Sequence, residues 1–159
     1  MTTTINDIMR KKLETIEEAA SVQQAAKKMK DRNVSSLLIV DENNKPQGIV
    51  SERDLVIKIC TDDRISSTVT NKEIMSTPLI TISSRSSPSE AADMMLQHNV
   101  KHLLVVVDDD DRDNYGNNSN TRDLNKPVGI ITPLDFTRYQ EYANDKEKDA
   151  IEKILEYYV

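Results

Sequence analysis

The chain has 159 residues, a net charge of −6, 37% hydrophobic and 30% charged residues; that suffices for one compact domain or two small intertwined halves, and no apolar run reaches the roughly 18 residues a bilayer span needs. The acidic balance argues against a nonspecific nucleic-acid surface, and a chain with no Trp and a single Phe has no platform for stacking bases. Met1 to Lys12 lacks the apolar centre of an export signal, and the single Cys60 rules out an internal disulfide and fits a reducing cytoplasm.

In chain order, Leu13 to Ile16 reads as a short strand. Ser21-x-x-Gln24 is a capping box that opens a helix, with Val22, Ala25, Ala26 and Met29 at the spacing of one buried face. Asn33 falls where that helix ends, and Asn tolerates the left-handed turn needed there. Leu37 to Val40 is a continuous apolar run, suited to a strand buried on both faces. Glu42 to Lys45 is a hairpin loop, Gly48 to Ser51 returns as a strand, and a helix follows to about Cys60, whose apolar surroundings place it in the core. Thr61 to Asn71 is a polar link. The order then repeats: strand Leu79 to Ile82, capping box Ser87-Pro88-x-Glu90, apolar helical positions Ala91, Ala92 and Met95, Asn99 at the helix end, strand Leu103 to Val107. The stretch from Leu134 to Val159 reads as a long helix with a break near Asn144-Asp145. Ile151, Ile154, Leu155 and Tyr158 form an apolar face that packs on the module or on a second subunit.

The repetition is literal. Residues 5–40 align with 71–106 at an offset of 66, and Pro46 to Asp54 matches Pro127 to Asp135 at an offset of 81. The difference is an insert, 108–126, rich in Asp and Asn, which reads as a solvated hairpin tip. A unit of about sixty residues buries a marginal core, so the two halves are expected to fold as a pair. The fold class is α/β (α+β), a tandem β-α-β-β-α arrangement: first repeat 1–61, linker 62–70, second repeat 71–143 carrying the insert, helical tail 144–159.

Only three glycines exist, Gly48, Gly116 and Gly129, so a glycine-rich phosphate loop is absent. Ser51 and Thr132 each end a strand and open a helix, where free N–H groups and the helix dipole favour an anion. Asp54 and Asp135 follow one turn later, placed to accept two hydroxyls of a ribose. The plainer reading is a helix cap with an acid complementing the dipole. The glycine shared three positions earlier, Gly48 and Gly129, favours the ligand reading, since a cap does not need it.

Gly-Ile-Val-Ser-Glu-Arg-Asp, repeated as Gly-Ile-Ile-Thr-Pro-Leu-Asp, together with Val-x-x-Leu-Leu-x-Val after a capped helix, resembles the CBS domain (named for cystathionine beta-synthase). Two copies in tandem resemble a Bateman module, from about Thr4 to Tyr142. The resemblance implies repeats packed through their sheets with pseudo-twofold symmetry, and clefts between them for AMP, ADP, ATP or S-adenosylmethionine. It also implies a non-catalytic sensor or regulator, often a homodimer. Carried over, Asp54 and Asp135 resemble ribose binders, and Ser51 and Thr132 resemble phosphate or ribose contacts. Thr15 and Thr81 resemble positions whose backbone meets the base. Ser35-Ser36 and Lys101-His102 resemble the pair that lines the ligand, and Arg53 is a further cation at the first site. Only the second repeat has the basic pair, so the two clefts are expected to be unequal. The rival is a structural dimerisation or scaffold module with vestigial clefts, favoured by the departures at Ser35-Ser36 and Pro133-Leu134.

Two metal readings are weak. His98 and His102 lack a third ligand, and the alternating Asp109, Asp111 and Asp113 do not complete a calcium loop. No nucleophile, base and orienter assemble from motifs.

Overall fold

The computed structural model describes residues 2–107, 126–139 and 144–158. In chain order these form α1 (Ile5–Ile8), β1 (Thr15–Glu17), α2 (Val22–Arg32), β2 (Ser36–Val40), β3 (Pro46–Ser51), α3 (Glu52–Leu55) running on as a π-helical turn (Val56–Cys60), and α4 (Asn71–Ile74). There follow β4 (Thr81–Ser83), α5 (Pro88–His98), β5 (Leu103–Val106), β6 (Pro127–Ile131), α6 (Pro133–Tyr139) and α7 (Asp145–Tyr158). The fold is α+β, with two small mixed sheets. The first has the order β1-β2-β3, the second β4-β5-β6; in each the central strand pairs parallel with the first strand and antiparallel with the third.

Local chemistry explains the matching elements. Ser21 and Ser87 cap α2 and α5, each accepting the N–H of the residue three on at 3.2 Å while that residue's side chain accepts the cap's own N–H. Asn33 and Asn99 end these helices in the left-handed conformation, both at φ 52°. The faces read from the sequence are the buried ones: Val22, Ala25 and Met29 on α2, Ala91, Ala92 and Met95 on α5. Each large side chain so buried contributes on the order of 1.5–3 kcal/mol.

The chain divides into two compact units, Leu13–Leu79 and Met1–Lys12 with Ile80–Val159. These are offset from the sequence repeats by one arm. The arm that begins the first repeat, residues 1–12, is built into the second unit, and the arm that begins the second repeat is built into the first. Ile5 is fully buried among the second unit's core residues. Its N–H donates to the Ser86 carbonyl at 2.8 Å and the Asn6 N–H to the Ser84 carbonyl at 2.9 Å. In the other arm, at the same repeat positions, Asn71 and Lys72 donate to the carbonyls of Ala20 and Glu18, both at 3.0 Å. Arg10 then pairs with Ile130 as an antiparallel bridge, and Ser76 with Ile49.

This crossing explains the two repeated glycines. A Cβ on Gly129 would stand 2.6 Å from the Arg10 carbonyl oxygen and 2.7 Å from Met9 Sδ; on Gly48 it would stand 2.9 Å from both the Ser76 carbonyl oxygen and the Met75 side chain. Glycine is needed because an arm lies against it. The shared glycine therefore carries no argument for a ligand, contrary to the sequence reading.

Two further expectations change. Cys60 is exposed, because Ile59 takes the buried position in that turn. The segment 61–71 is more than a polar link: Val69 is a core residue, and Asn71 is fully buried with its side-chain amide donating to the Glu17 carbonyl at 3.1 Å. After Leu134 the described residues form α6 and α7, with α7 beginning at Asp145, where the sequence places the break. Asn144 caps the second, its Oδ1 accepting the Glu147 N–H at 3.0 Å, and the apolar face of α7 packs along α5 with Ile151 and Ile154 fully buried. Asp109, Asp111 and Asp113 lie outside the described residues. His98 ends α5 while His102 lies beyond the Asn99 cap, so the two do not share a helical face. Among the described residues no group of three His, Cys, Asp or Glu side chains could hold a metal, and no helix is long and apolar enough to cross a membrane.

Candidate functional site

Strand order and register gather the sequence candidates at one end of each sheet. In the first unit Thr15 opens β1 and Ser36 opens β2, directly opposite Ser51 at the end of β3. The Ser35 carbonyl accepts the Glu52 N–H at 2.9 Å, tying the start of β2 to the start of α3. In the second unit Thr81 opens β4, Lys101 and His102 immediately precede β5, and Thr132 follows β6 where Leu103 pairs with Ile131. From outer strand to helix start is two strand spacings, about 10 Å, comparable with the length of a nucleoside.

At these ends the acid accepts from the backbone and hydroxyl of the residue that opens the helix, reciprocally in the first unit. Asp54 Oδ2 accepts the Ser51 N–H at 2.9 Å and its hydroxyl at 3.0 Å, while Ser51 Oγ accepts the Asp54 N–H at 3.2 Å. Asp135 Oδ2 accepts the Thr132 N–H at 2.8 Å and its hydroxyl at 3.1 Å. The plainer reading of the motif is therefore realised in both copies. The box alone does not mark a site, since Thr4 with Asp7 and Thr70 with Glu73 form it too. Backbone and hydroxyl hydrogen bonds from Thr70 hold the Glu73 carboxyl below the usual carboxylate range.

Asp54 and Asp135 differ from those in burial and placement. The Glu73 side chain is 49% exposed, that of Asp54 16%, that of Asp135 1%. Each has its second oxygen on a cation. Lys58 Nζ lies 3.1 Å from Asp54 Oδ1 and also donates to the Ile74 carbonyl at 2.6 Å; Arg10 Nε donates to Asp135 Oδ1 at 3.2 Å. A carboxylate with one oxygen fixed by a cap and the other facing a cation is oriented before any ligand arrives.

The other candidates fall as follows. Arg53 is exposed, and Leu134, its counterpart, is an exposed apolar side chain. Ser35, Ser36 and Thr15 are partly buried, Thr81 is exposed, and Lys101 and His102 are partly buried. The Lys101 ammonium stands 5.3 Å from the centre of the Tyr158 ring, whose hydroxyl donates to the Met95 carbonyl at 3.0 Å; burial pushes that hydroxyl's pKa up. Lys28 Nζ donates to the Thr15 carbonyl. Arg10, Lys28, Lys58 and Tyr158 were missed by sequence reasoning. Of these only Lys58, four residues after Asp54 on a helix, carries a readable signal.

A groove of about 340 Å³ in the second unit lies between the arm (Thr4, Asn6, Met9, Lys11) and the turn Ser84-Arg85. It is at the other end of the sheet, and none of the candidate residues lines it.

Two α+β units, each with a capped acid at the end of its sheet, define a tandem-repeat module. The CBS domain profile matches residues 5–60 and 72–114, and the chain belongs to the CBS domain family. Over 152 residues it is 26% identical to an uncharacterised protein of Methanopyrus kandleri, covering 96% of this chain and 70% of that one. It spans 63%, 32% and 23% of the length of three further curated relatives. The structure of the CBS domain protein TA0289 from Thermoplasma acidophilum, of unknown function, shares the fold with a TM-score of 0.73 at 20% identity, over 98% of this chain and 78% of that one. The CBS domain pair of protein MJ0100, in complex with 5′-methylthioadenosine and S-adenosylmethionine, has a TM-score of 0.68 at 26% identity, over 89% of this chain and 98% of that one.

Proposed function

We propose that the chain is a regulatory module that binds an adenosine-containing ligand and passes the binding on to a partner. The carrying observation is the duplicated sheet end: a capped, oriented acid at a helix start, with an edge-strand backbone on one side and, in the second unit, Lys101 and His102 between. The acid suits ribose hydroxyls and the edge strand suits a base. Lys101 and His102 suit a phosphate or, in its absence, the carboxylate of S-adenosylmethionine. The complex of MJ0100 with methylthioadenosine and S-adenosylmethionine supports the adenosyl class. AMP, ADP and ATP carry the same base and sugar and extend the proposal to energy sensing. We assign the chain no catalytic step, a cytoplasmic setting and a homodimeric assembly. A ligand shifts such a module only by its difference in affinity for two states.

The scaffold reading has one observation in its favour: Asp135 is 1% exposed and already fully engaged by its cap and by Arg10. Thermal denaturation with a panel of adenosyl ligands separates the two. A ligand at about 100 times its dissociation constant adds roughly 2.7 kcal/mol of stability; the regulatory reading expects such a rise with at least one member. A flat panel leaves the scaffold.

A further inference from the structure

We infer that Lys28 closes the base-recognition edge of the first repeat, so that the chain takes one adenosyl ligand, at the second repeat; this rests on the adenosyl reading above. β1 and β4 are edge strands of their sheets. In a parallel pair, backbone groups face the partner strand at alternate residues. The Leu38 N–H donates to the Glu14 carbonyl and the Leu104 N–H to the Ile80 carbonyl. Thr15 and Thr81, one residue on, therefore turn their N–H and C=O away from the sheet. One outward residue on an edge offers a donor and an acceptor side by side, the pair that the amino group and adjacent ring nitrogen of an aminopurine complement.

The two edges differ in what the following helix presents to them. In the first repeat Lys28 on α2 donates to the Thr15 carbonyl, and its ammonium lies 3.9 Å from the Glu14 carboxylate. An arriving purine amine finds its acceptor taken by a charged donor, roughly twice as strong as a neutral one. In the second repeat the position of Lys28 is Met94 on α5 and that of Glu14 is Ile80, both packed partly buried against the apolar core. A thioether donates nothing, so no side chain at that position competes for the Thr81 carbonyl. The neighbouring pair follows the same division, Ser35-Ser36 at the closed edge and Lys101-His102 at the open one.

The test is equilibrium dialysis of the full chain with radiolabelled S-adenosylmethionine and, separately, AMP, with far-UV circular dichroism melts of each variant. Wild type is expected to take one probe per chain. Lys28→Met, and independently Lys28→Ala, gain a second, which Asp54→Ala in the same background removes. The reciprocal Met94→Lys weakens the wild-type site at least tenfold. Two sites in wild type, or an unchanged stoichiometry in both Lys28 variants, overturns the inference, as does unchanged affinity in folded Met94→Lys. If wild type binds and the variants change nothing, the inference alone falls. If no form binds either probe, the adenosyl reading falls with it.

Discussion

Asp54 and Asp135 stand at the same place in the two repeats and draw their counter-charge from opposite places. Asp54 takes it from its own helix, through Lys58 four residues on; Asp135 takes it from the arm, through Arg10. The arm position equivalent to Arg10 is Ser76, and the helix position equivalent to Lys58 is Tyr139, whose hydroxyl donates to Glu147 at 2.7 Å and is pushed up in pKa by burial. Each repeat thus keeps one cation on its acid and has moved its source. Both arrangements also tie the acid to an arm, directly through Arg10, or through Lys58 and the Ile74 carbonyl. The requirement that survives divergence is therefore an acid paired with a cation and joined to the arm. It does not fix which residue supplies the positive charge.

The comparison breaks most forcefully at the glycines. Gly129→Ala places a methyl group 2.6 Å from the Arg10 carbonyl oxygen and is expected to cost about 3 kcal/mol in urea unfolding, the upper range for overpacking. Gly48→Ala, with 2.9 Å to its backbone neighbour, should cost about 2 kcal/mol on the same scale. Equal losses would mean that the two arms are held alike.

Next is Arg10→Ala, which leaves a carboxylate of 1% exposure without its cation. Chemical denaturation should show a loss of roughly 2 kcal/mol, below that of a fully buried pair because Arg10 itself is 38% exposed. Lys58→Ala, at a more open acid, should lose about 1 kcal/mol or less. Ser76→Arg in the Lys58→Ala background should recover part of it, by giving the first unit the second unit's arrangement. A double mutant no more stable than Lys58→Ala contradicts the exchange.

The smallest effect concerns pH. The Glu73 carboxyl is held below its ordinary value by the Thr70 backbone N–H. Its contribution is present above the unfolded carboxylate pKa and is lost as pH falls through the lower folded value. Glu73→Gln should therefore flatten slightly the acid limb of a stability-against-pH curve. A variant curve parallel to wild type throughout would show that the cap bond is not felt.

Much of the repeated framework was legible in the sequence, because α2, α5, β2 and β5 carry strong local signals: capping boxes, a 3.6-residue apolar period, continuous apolar runs and a terminal Asn. The acids at 54 and 135 were legible too, since duplication displayed them twice. The arms were not placed, although Thr4-x-x-Asp7 and Thr70-x-x-Glu73 are capping boxes in plain view. One-turn helices have no period to read, and their packing partners are distant in sequence: Arg10 lies 125 residues from Asp135. For the same reason the sequence does not show that Gly48 and Gly129 serve the arms. Lys28 was invisible because a side chain reaching a backbone carbonyl leaves no pattern in residue types. The exposure of Cys60 is not legible because the π-helical turn Val56–Cys60 departs from the periodicity by which faces are assigned.

The central claim is that the capped acid of the second repeat grips the sugar of an adenosyl ligand. Isothermal titration of the full chain with S-adenosylmethionine and with AMP, against Asp135→Asn, tests it most directly. The account predicts saturable binding of at least one probe to wild type and a loss of at least tenfold in affinity in the folded variant. Undiminished binding to Asp135→Asn, or no heat from either probe with wild type, would contradict it.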